Sequence, residues 1–189
     1  MSEHSHLHDQ ERLLASIGPS VSALIADIVS GLFDGFIIGV VIAAGINILL
    51  LTQSIALNIF SVAIPLILPM ILNAFWKHKL WKKARFRITT ERILMQDAGR
   101  FKMKSLLTIK WPQYQESWNK RTSWIDHLTG AKSIGIRYGN ADSQLRAVFP
   151  SAVWATDIKH YLDKVDAAFR HNQMETIKPF VEKAYGKRD

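Results

Sequence analysis

The sequence predicts an α+β membrane protein in which a transmembrane helical hairpin is followed by a seven-stranded β-barrel or sandwich, capped by a C-terminal helix. Residues 35–76 contain no Asp, Glu, Lys or Arg, which favours membrane-spanning helices. Seven short segments with strand-like composition follow, and a segment with apolar residues at helical spacing comes after them.

The charge-free run is long enough for two membrane crossings, because a hydrocarbon core of ~30 Å takes about 20 residues per helix. Thr52-Gln53-Ser54 is its most polar point and predicts the turn between helices over residues 32–51 and 55–76. The predicted organisation is an N-terminal tail with an interfacial amphipathic helix (1–30), the hairpin (31–76), a basic juxtamembrane linker (77–84), the β domain (85–171) and a C-terminal tail helix (172–189).

Basic residues cluster directly after the second predicted span, whereas the turn carries no charge. Because basic segments resist translocation, both termini and the β domain are expected on the cytoplasmic side of the membrane. All but one of the 24 Lys and Arg residues follow Trp76. A basic domain held at a bilayer favours anionic lipid head groups as partners. Nucleic acid attracts the same charge, but no nucleic-acid motif is present, so it is not an expected partner.

The segment from Glu11 to Val29 has apolar residues at three- and four-residue steps. It predicts an amphipathic helix, broken at Gly18-Pro19, that lies on the membrane surface or packs under the β domain. His4, His6 and His8 alternate in a polar tail; imidazoles suit a transition metal, but nothing completes a site, so no metal or cofactor is expected.

Small residues recur every fourth position in the first predicted span. This spacing allows close helix packing, and an Asn amide can bond across the contact. The stripe fits either the second helix of the same hairpin or a contact with another molecule, in a homo-oligomer or a larger membrane-protein complex. Its members are Gly31, Gly35, Gly39, Ala43 and Asn47. Asp27 and Asp34 lie near the expected cytoplasmic boundary, which disfavours ion handling.

Period-two alternation and turn residues place the strands. The predicted strands cover residues 85–89, 93–95, 100–104, 106–111, 114–118, 133–138 and 145–149, with turns at Thr90-Glu91 and 97–99. A helix is then expected to start at Pro150-Ser151, with one apolar stripe formed by Val153, Trp154, Ile158, Tyr161, Leu162, Val165 and Phe169. A last helix is predicted between Ile177 and Tyr185.

Two groups of side chains are candidates for binding. One group consists of the cations that alternate along the third predicted strand and the basic residues just before and within the first predicted strand. These side chains either bind lipid phosphate or form a solvated outer face of the β domain. These candidates are Lys82, Lys83, Arg85, Arg87, Arg100, Lys102 and Lys104. The second group interleaves tryptophans with cations and suits a membrane interface or a partner protein, unless the tryptophans close the barrel. Its members are Trp118, Lys120, Arg121 and Trp124.

The sequence offers no motif for catalysis. It contains no Gly-x-Ser-x-Gly, P-loop, dinucleotide fingerprint or His-Glu-x-x-His, and it has no cysteine for thiolate chemistry or zinc–thiolate sites. Asp126-His127 lacks a nearby nucleophile in sequence. A non-enzymatic role is therefore expected.

Residues 86–93, Phe-Arg-Ile-Thr-Thr-Glu-Arg-Ile, resemble the aromatic-x-Ile-Thr-x-x-Arg-Ile opening of bacterial pleckstrin-homology-like (PH-like) domains, which two membrane helices often precede. Residues 128–136 are similar to the family's Leu-x-Gly-x-Gly-x-Ile-x-Ile segment, although Ala131-Lys132 departs from it at the second glycine. The resemblance covers about residues 29–170. It implies a PH-like barrel with a capping helix in a bacterial cytoplasmic membrane protein.

The resemblance implies little chemistry, because the family consists of membrane-anchored binding or assembly modules and a fold does not transfer a function. The expected role is docking on, assembling or stabilising a larger membrane-protein complex. The alternative is a sensor or adaptor that binds anionic lipid.

Overall fold

The computed structural model describes residues 11–52, 59–99, 102–122, 124–140, 143–152 and 154–181. It confirms an α+β chain with two long apolar helices and two antiparallel sheets. In chain order the elements are β1 (Leu13–Ile17), α1 (Val21–Thr52), α2 (Ile59–Lys83), β2 (Arg85–Thr89), β3 (Arg92–Gln96), β4 (Leu107–Lys110), β5 (Tyr114–Lys120), α3 (Trp124–Thr129), β6 (Lys132–Asn140), β7 (Ser143–Ala152) and α4 (Ala155–Arg170).

The strands form two sheets, in the orders β1-β2-β3-β4 and β5-β6-β7. The sheets meet at one corner, where Pro19 forms an isolated bridge with Ala152 and the Ser20 N–H donates to the Ser151 carbonyl at 2.7 Å. Over the described strands, the hydrogen-bond ladders do not close into a barrel. The described strands therefore form two separate antiparallel sheets and not a closed barrel.

The predicted N-terminal amphipathic helix is wrong for residues 13–17, which form β1. This strand pairs antiparallel with β2, with Ile17 opposite Phe86, and a bulge near Leu14 lets Leu14 and Ala15 both be buried. A five-residue apolar run is ambiguous between helix and strand when its partner lies far away in sequence. Gly18-Pro19, predicted as a break within the helix, separates β1 from α1.

The long helices are inserted between two neighbouring strands of one sheet. β1 precedes α1, and β2 follows α2 after the single residue Ala84. The first strand of the β domain therefore lies on the N-terminal side of the helical hairpin, and the hairpin is attached to the sheet through both of its helices.

A strand at residues 100–104 was predicted, and the described part of it, 102–104, is instead one side of the tip of the β3–β4 hairpin. Met103 bridges Ala98, the Gly99 N–H donates to the Lys102 carbonyl, and the Lys104 N–H donates to the Asp97 carbonyl, both at 2.9 Å. Alternating cations are equally compatible with an exposed hairpin tip. The described residues form seven strands, as many as were predicted, because β1 takes the place of this segment.

Three predicted boundaries are also corrected. The predicted linker 77–84 is helical as far as Lys83, because Lys77 and Leu80 are still buried. The helix expected from Pro150-Ser151 starts at Ala155, because β7 continues to Ala152. Residues 177–181 of the predicted C-terminal helix are not helical, and 182–189 lie outside the described residues.

The C-terminal segment lies along β1. Ile177 is buried, the Phe180 N–H donates to the Leu14 carbonyl at 2.8 Å, and the Arg12 guanidinium donates to the Ile177 carbonyl at 2.7 Å. An edge strand presents unpaired backbone groups, and this segment covers part of that edge.

The core lies between the two sheets and α4. Its fully buried side chains include Phe86, Ile88, Ile93, Ile109, Ile134, Ile136 and Phe149 from the sheets, Trp111 from the turn between β4 and β5, and Ile158, Leu162 and Val165 from α4. The predicted apolar stripe of α4 is confirmed at its described positions, while Val153 lies outside them.

Candidate lipid-binding and partner surfaces

The small-residue stripe of α1 is filled by α2. An ideal Cβ on Gly35 would lie 2.5 Å from the Met70 Cα, and one on Gly39 would lie 2.7 Å from the Pro65 carbonyl oxygen. A Cβ on Gly31 would lie 2.9 Å from the Lys77 Cγ. These are approaches to backbone and to a packed side-chain stem, so the two helices are as close as glycine allows.

Hydrogen bonds hold both ends of this contact. The Asn47 amide donates to the Ala43 carbonyl at 2.7 Å and accepts from the Ser61 hydroxyl at 3.1 Å. Near the other end, the Asn73 amide donates to the Gly31 carbonyl at 3.1 Å. The structure therefore places the stripe inside the hairpin, where it is not available to a second molecule.

The outward faces of the hairpin are apolar. Both helices are long and apolar enough to cross a membrane by length and composition. Three polar side chains near the base of the hairpin, those of Ser22, Asp34 and Lys77, are buried. The most exposed apolar side chains of the hairpin are Val21, Phe33, Val41, Ile48, Leu51, Ile59, Phe60 and Phe75.

The basic candidates come from two places in the fold. Lys82 and Lys83 are exposed at the end of α2, and the half-buried Arg85 and Arg87 follow in β2. Arg85 donates to the Ala84 carbonyl at 2.8 Å.

The remaining basic candidates lie at the β3–β4 tip. Lys102 and Lys104 are exposed there, and Arg100 lies outside the described residues. Lys104 forms an ion pair with Asp97.

The β3–β4 tip lies beside the base of the helical hairpin. Asp27 of α1 is within electrostatic reach of Lys77, Asp97 and Lys104. The cations of the tip and those that end α2 are therefore at the same end of the β domain. An open cleft of about 290 Å³ adjoins the tip and is lined by Met95, Asp97, Lys104, Ser105, Leu107, Ala147 and Val148.

Trp118 lies on the outer face of the second sheet. It pairs with Gly135, whose neighbours Ile134 and Ile136 point into the core, and a Cβ on Gly135 would overlap the Trp118 indole. Val148 flanks Gly135 on β7 and is exposed. Trp118 therefore covers a glycine on the outside of the sheet and does not fill the space between the sheets.

The other members of this group are near the end of β5. Lys120 and Arg121 are exposed, and Trp124 begins α3, with its side chain outside the described part of the structure. Sequence spacing did not show which face of the sheet Trp118 occupies, and the grouping of these four residues as one surface stays a prediction.

A buried polar cluster joins α3 to the sheet corner and was not recognised from the sequence as a structural feature. The Asp126 carboxylate is fully buried and accepts bonds from the Ser151 hydroxyl and from the Thr122 N–H, the latter at 3.1 Å. Thr122 and Ser133 share a hydrogen bond of 2.6 Å, and Ser133 accepts from the Ser151 N–H at 3.1 Å. The hydrogen bonds to Asp126 hold α3 in place, and His127 beside it is exposed.

Two residues of the motif in 86–93 also have structural partners. Arg92 forms two hydrogen bonds to the buried Glu11 carboxylate, at 3.0 and 2.7 Å, and these raise the pKa of Arg92 above its usual value. Thr89 donates to Glu11 at 2.6 Å and accepts from the Arg92 N–H at 3.0 Å. The motif therefore fixes the N-terminal segment to the β2–β3 turn.

Over the described residues, no group of three His, Asp or Glu side chains is placed to hold a metal ion, and His4, His6 and His8 lie outside them. No protein-family model, curated protein or solved structure matches this chain.

Proposed function

We propose that this chain is a non-catalytic module anchored in the bacterial cytoplasmic membrane, which holds a PH-like β domain at the cytoplasmic surface and docks on, assembles or stabilises a larger membrane-protein complex. The supporting observation is the insertion of an apolar-surfaced helical hairpin between β1 and β2, neighbouring strands of one sheet. Three residues separate β1 from α1 and one residue separates α2 from β2, so the β domain is held close to the membrane.

The dimensions of the hairpin support insertion in a bilayer. Residues 35–52 of α1 and 59–76 of α2 are free of charge, and at 1.5 Å per residue each stretch spans ~27 Å, close to the ~30 Å hydrocarbon core. The exposed Trp76 is the last residue of the charge-free stretch of α2, and basic residues follow it directly. Aromatic residues prefer the interface and basic residues the cytoplasmic side, which gives the proposed orientation.

The PH-like assignment is supported by a four-stranded and a three-stranded antiparallel sheet followed by a C-terminal helix packed on the core. Thr89 and Arg92, two residues of the resembling motif, are engaged at the β2–β3 turn. The motif residues thus have a role in folding that accounts for their spacing.

A docking role fits the surfaces that remain exposed. Because α2 fills the glycine stripe, contacts with other proteins are proposed for the lipid-facing side of the hairpin and the outer face of the second sheet. On that face Trp118 packs on Gly135, and the neighbouring Val148 of β7, which pairs with Gly135, is 43% exposed.

Membrane anchoring is tested by alkaline carbonate extraction of membranes that contain the chain, followed by protease treatment of spheroplasts. We expect the chain to stay in the membrane pellet and the β domain to survive protease added from outside. Release into the supernatant would contradict the anchoring, and digestion of residues 85–170 would contradict the orientation.

The docking role is tested by mild detergent extraction and identification of proteins that co-migrate with the full chain. The variant Val148→Glu should lose such a partner, whereas Leu145→Glu, an exposed change on the opposite face of the same strand, should keep it. Co-migration that survives Val148→Glu would exclude this face as the contact. A chain that migrates alone from native membranes would contradict the docking role.

A lipid-sensing role is the second candidate, because the β3–β4 tip lies beside the base of the hairpin with Lys102 and Lys104 exposed. A fluorophore on Ser105→Cys in full-length protein should report closer contact with nanodiscs containing phosphatidylglycerol than with phosphatidylcholine alone. Changing Arg100, Lys102 and Lys104 to Glu should abolish this difference, and Lys164→Glu on α4 should not. An equal signal in both lipids would exclude this role.

A further inference from the structure

The first turns of α1 are apolar at a level where α2 is basic. Gly31 lies against Ala74 and Gly35 against Met70, so the antiparallel register puts Val29 level with Trp76 and Ile25 level with Leu80. At this level and beyond it, α2 presents the exposed cations Lys79, Lys82 and Lys83. On α1 the exposed apolar residues are Val21 (66%), Ile25 (48%) and Val29 (48%), and Ser30 is also exposed.

α3 packs against this part of α1 and is fixed there by hydrogen bonds. The Ser20 N–H, just before α1, donates to the Ser151 carbonyl, and the Ser151 hydroxyl donates to Asp126 of α3. Asp126 points into the protein and is fully buried, whereas Leu128, two residues further around the short helix, is 76% exposed. The buried carboxylate thus fixes a helix that presents a leucine to the surroundings.

Exposed cations adjoin the same helix. Lys120 and Arg121 directly precede Thr122, which donates two hydrogen bonds to Asp126. An apolar side chain with basic neighbours is the combination that suits the boundary between acyl chains and anionic head groups.

We infer that α3 and the first turns of α1 form a second lipid-contacting surface, in which Leu128 and Ile25 enter the head-group layer and Lys120 and Arg121 bind anionic lipid phosphates. This inference rests on the proposed membrane anchoring. It adds that the β domain itself touches the bilayer, on the side of α3, and is not merely tethered to it.

Two properties of the exposed α1 residues favour lipid as the partner of this surface: they continue the apolar face of the hairpin, and they lie at the depth of the head groups. One exposed stripe at four-residue spacing runs from the sheet corner into the charge-free part of α1, and it is formed by Val21, Ile25, Val29, Phe33 and Ile37. Ile25 lies four residues, or ~6 Å, beyond the Trp76 level, and the head-group layer on each side of the hydrocarbon is about that thick. The stripe therefore extends the lipid-facing surface into the interface.

The chain has no cysteine, so single cysteines can carry an environment-sensitive fluorophore in the full-length protein. Three positions are used in nanodiscs of phosphatidylglycerol and phosphatidylcholine: Leu128→Cys on α3, Ile67→Cys on the exposed face of α2, and Glu175→Cys beyond α4. Glu175 is near Thr90, at the end of the first sheet away from the hairpin. All three side chains are exposed, so the substitutions spare the core.

We expect the Ile67 label to be quenched by spin labels on acyl chains, the Leu128 label to be quenched by head-group spin labels with a blue-shifted emission, and the Glu175 label to be unaffected. A Leu128 label that behaves like the Glu175 label, while the Ile67 label is quenched, overturns this inference and leaves the anchoring intact. An unquenched Ile67 label overturns the anchoring and this inference with it.

The cation contribution is tested in the Leu128→Cys background. Changing Lys120 and Arg121 to Glu should reduce head-group quenching in nanodiscs with phosphatidylglycerol, whereas the exposed pair Lys164→Glu and Lys178→Glu should leave it unchanged. Quenching that persists after the first pair of changes overturns the proposed phosphate contacts.

Discussion

Gly35 of α1 and Met70 of α2 are in backbone contact, since a Cβ on Gly35 would lie 2.5 Å from the Met70 Cα. We predict that Gly35→Leu forces the two helices apart and destabilises the hairpin by at least the ~1–3 kcal/mol typical of overpacking. Thermal unfolding of the detergent-solubilised protein should show a lowered midpoint.

The same helix offers a matched control. Nothing lies within 4 Å of a Cβ built on Gly45, so Gly45→Leu should be neutral or stabilising by up to about 1 kcal/mol through helix propensity. Equal losses for the two variants would show that the Gly35 contact is not specific.

Glu11 and Arg92 tie the start of the described chain to the β2–β3 turn. Glu11→Ala should destabilise the protein by about 3 kcal/mol, because it removes the partner of Arg92, whose side chain is only 18% exposed. Urea unfolding followed by circular dichroism measures the loss. Glu175→Ala, an exposed carboxylate change, should stay within about 0.5 kcal/mol of the parent.

The stability of the β domain should fall in strong alkali because of Tyr114. Burial in the core raises the pKa of its phenol to about 12, from 10.0 in the unfolded chain. The folded state therefore binds this proton more tightly, and the free energy of unfolding should be constant below pH 10 and decrease between pH 10 and 12. Two pKa units correspond to about 2.7 kcal/mol.

Urea unfolding at a series of pH values tests this dependence. Tyr114→Phe should remove the decrease attributable to this group, and Tyr138→Phe, at a half-buried position, should retain it. An unchanged pH profile in Tyr114→Phe would rule out this tyrosine as the cause.

Trp118 and Gly135 should be energetically coupled, because the indole occupies the space of a side chain at position 135. Gly135→Ala should cost about 1–3 kcal/mol in the parent chain, as expected for overpacking, and much less in a Trp118→Ala background. A double-mutant cycle of unfolding free energies measures the difference. Additive effects would mean that the indole moves away from Gly135 at little cost.

Local sequence patterns were sufficient to predict the helices and strands whose apolar and polar residues recur at a regular spacing. The charge-free run predicted two long helices, period-two alternation predicted β2, β3 and β6 to within a few residues, and the apolar stripe predicted α4. In these elements the periodicity follows directly from which face of each element is buried.

The long-range contacts could not be predicted in the same way. β1 was missed because its burial depends on β2, far along the chain, and a short apolar run does not indicate its partner. The glycine stripe predicted a close helix contact, but the spacing is the same whether the partner is α2 or another molecule. Similarly, nothing near Asp126 in sequence indicates that Ser151 will donate to it.

The insertion of α1 and α2 between β1 and β2 also dictates an order of events during synthesis. β1 emerges from the ribosome first, yet its ladder partners in β2 are made only after both long helices. β1 therefore cannot pair with β2 until both helices and β2 have been synthesised. Completion of the first sheet is thus a late step in the synthesis of this part of the chain.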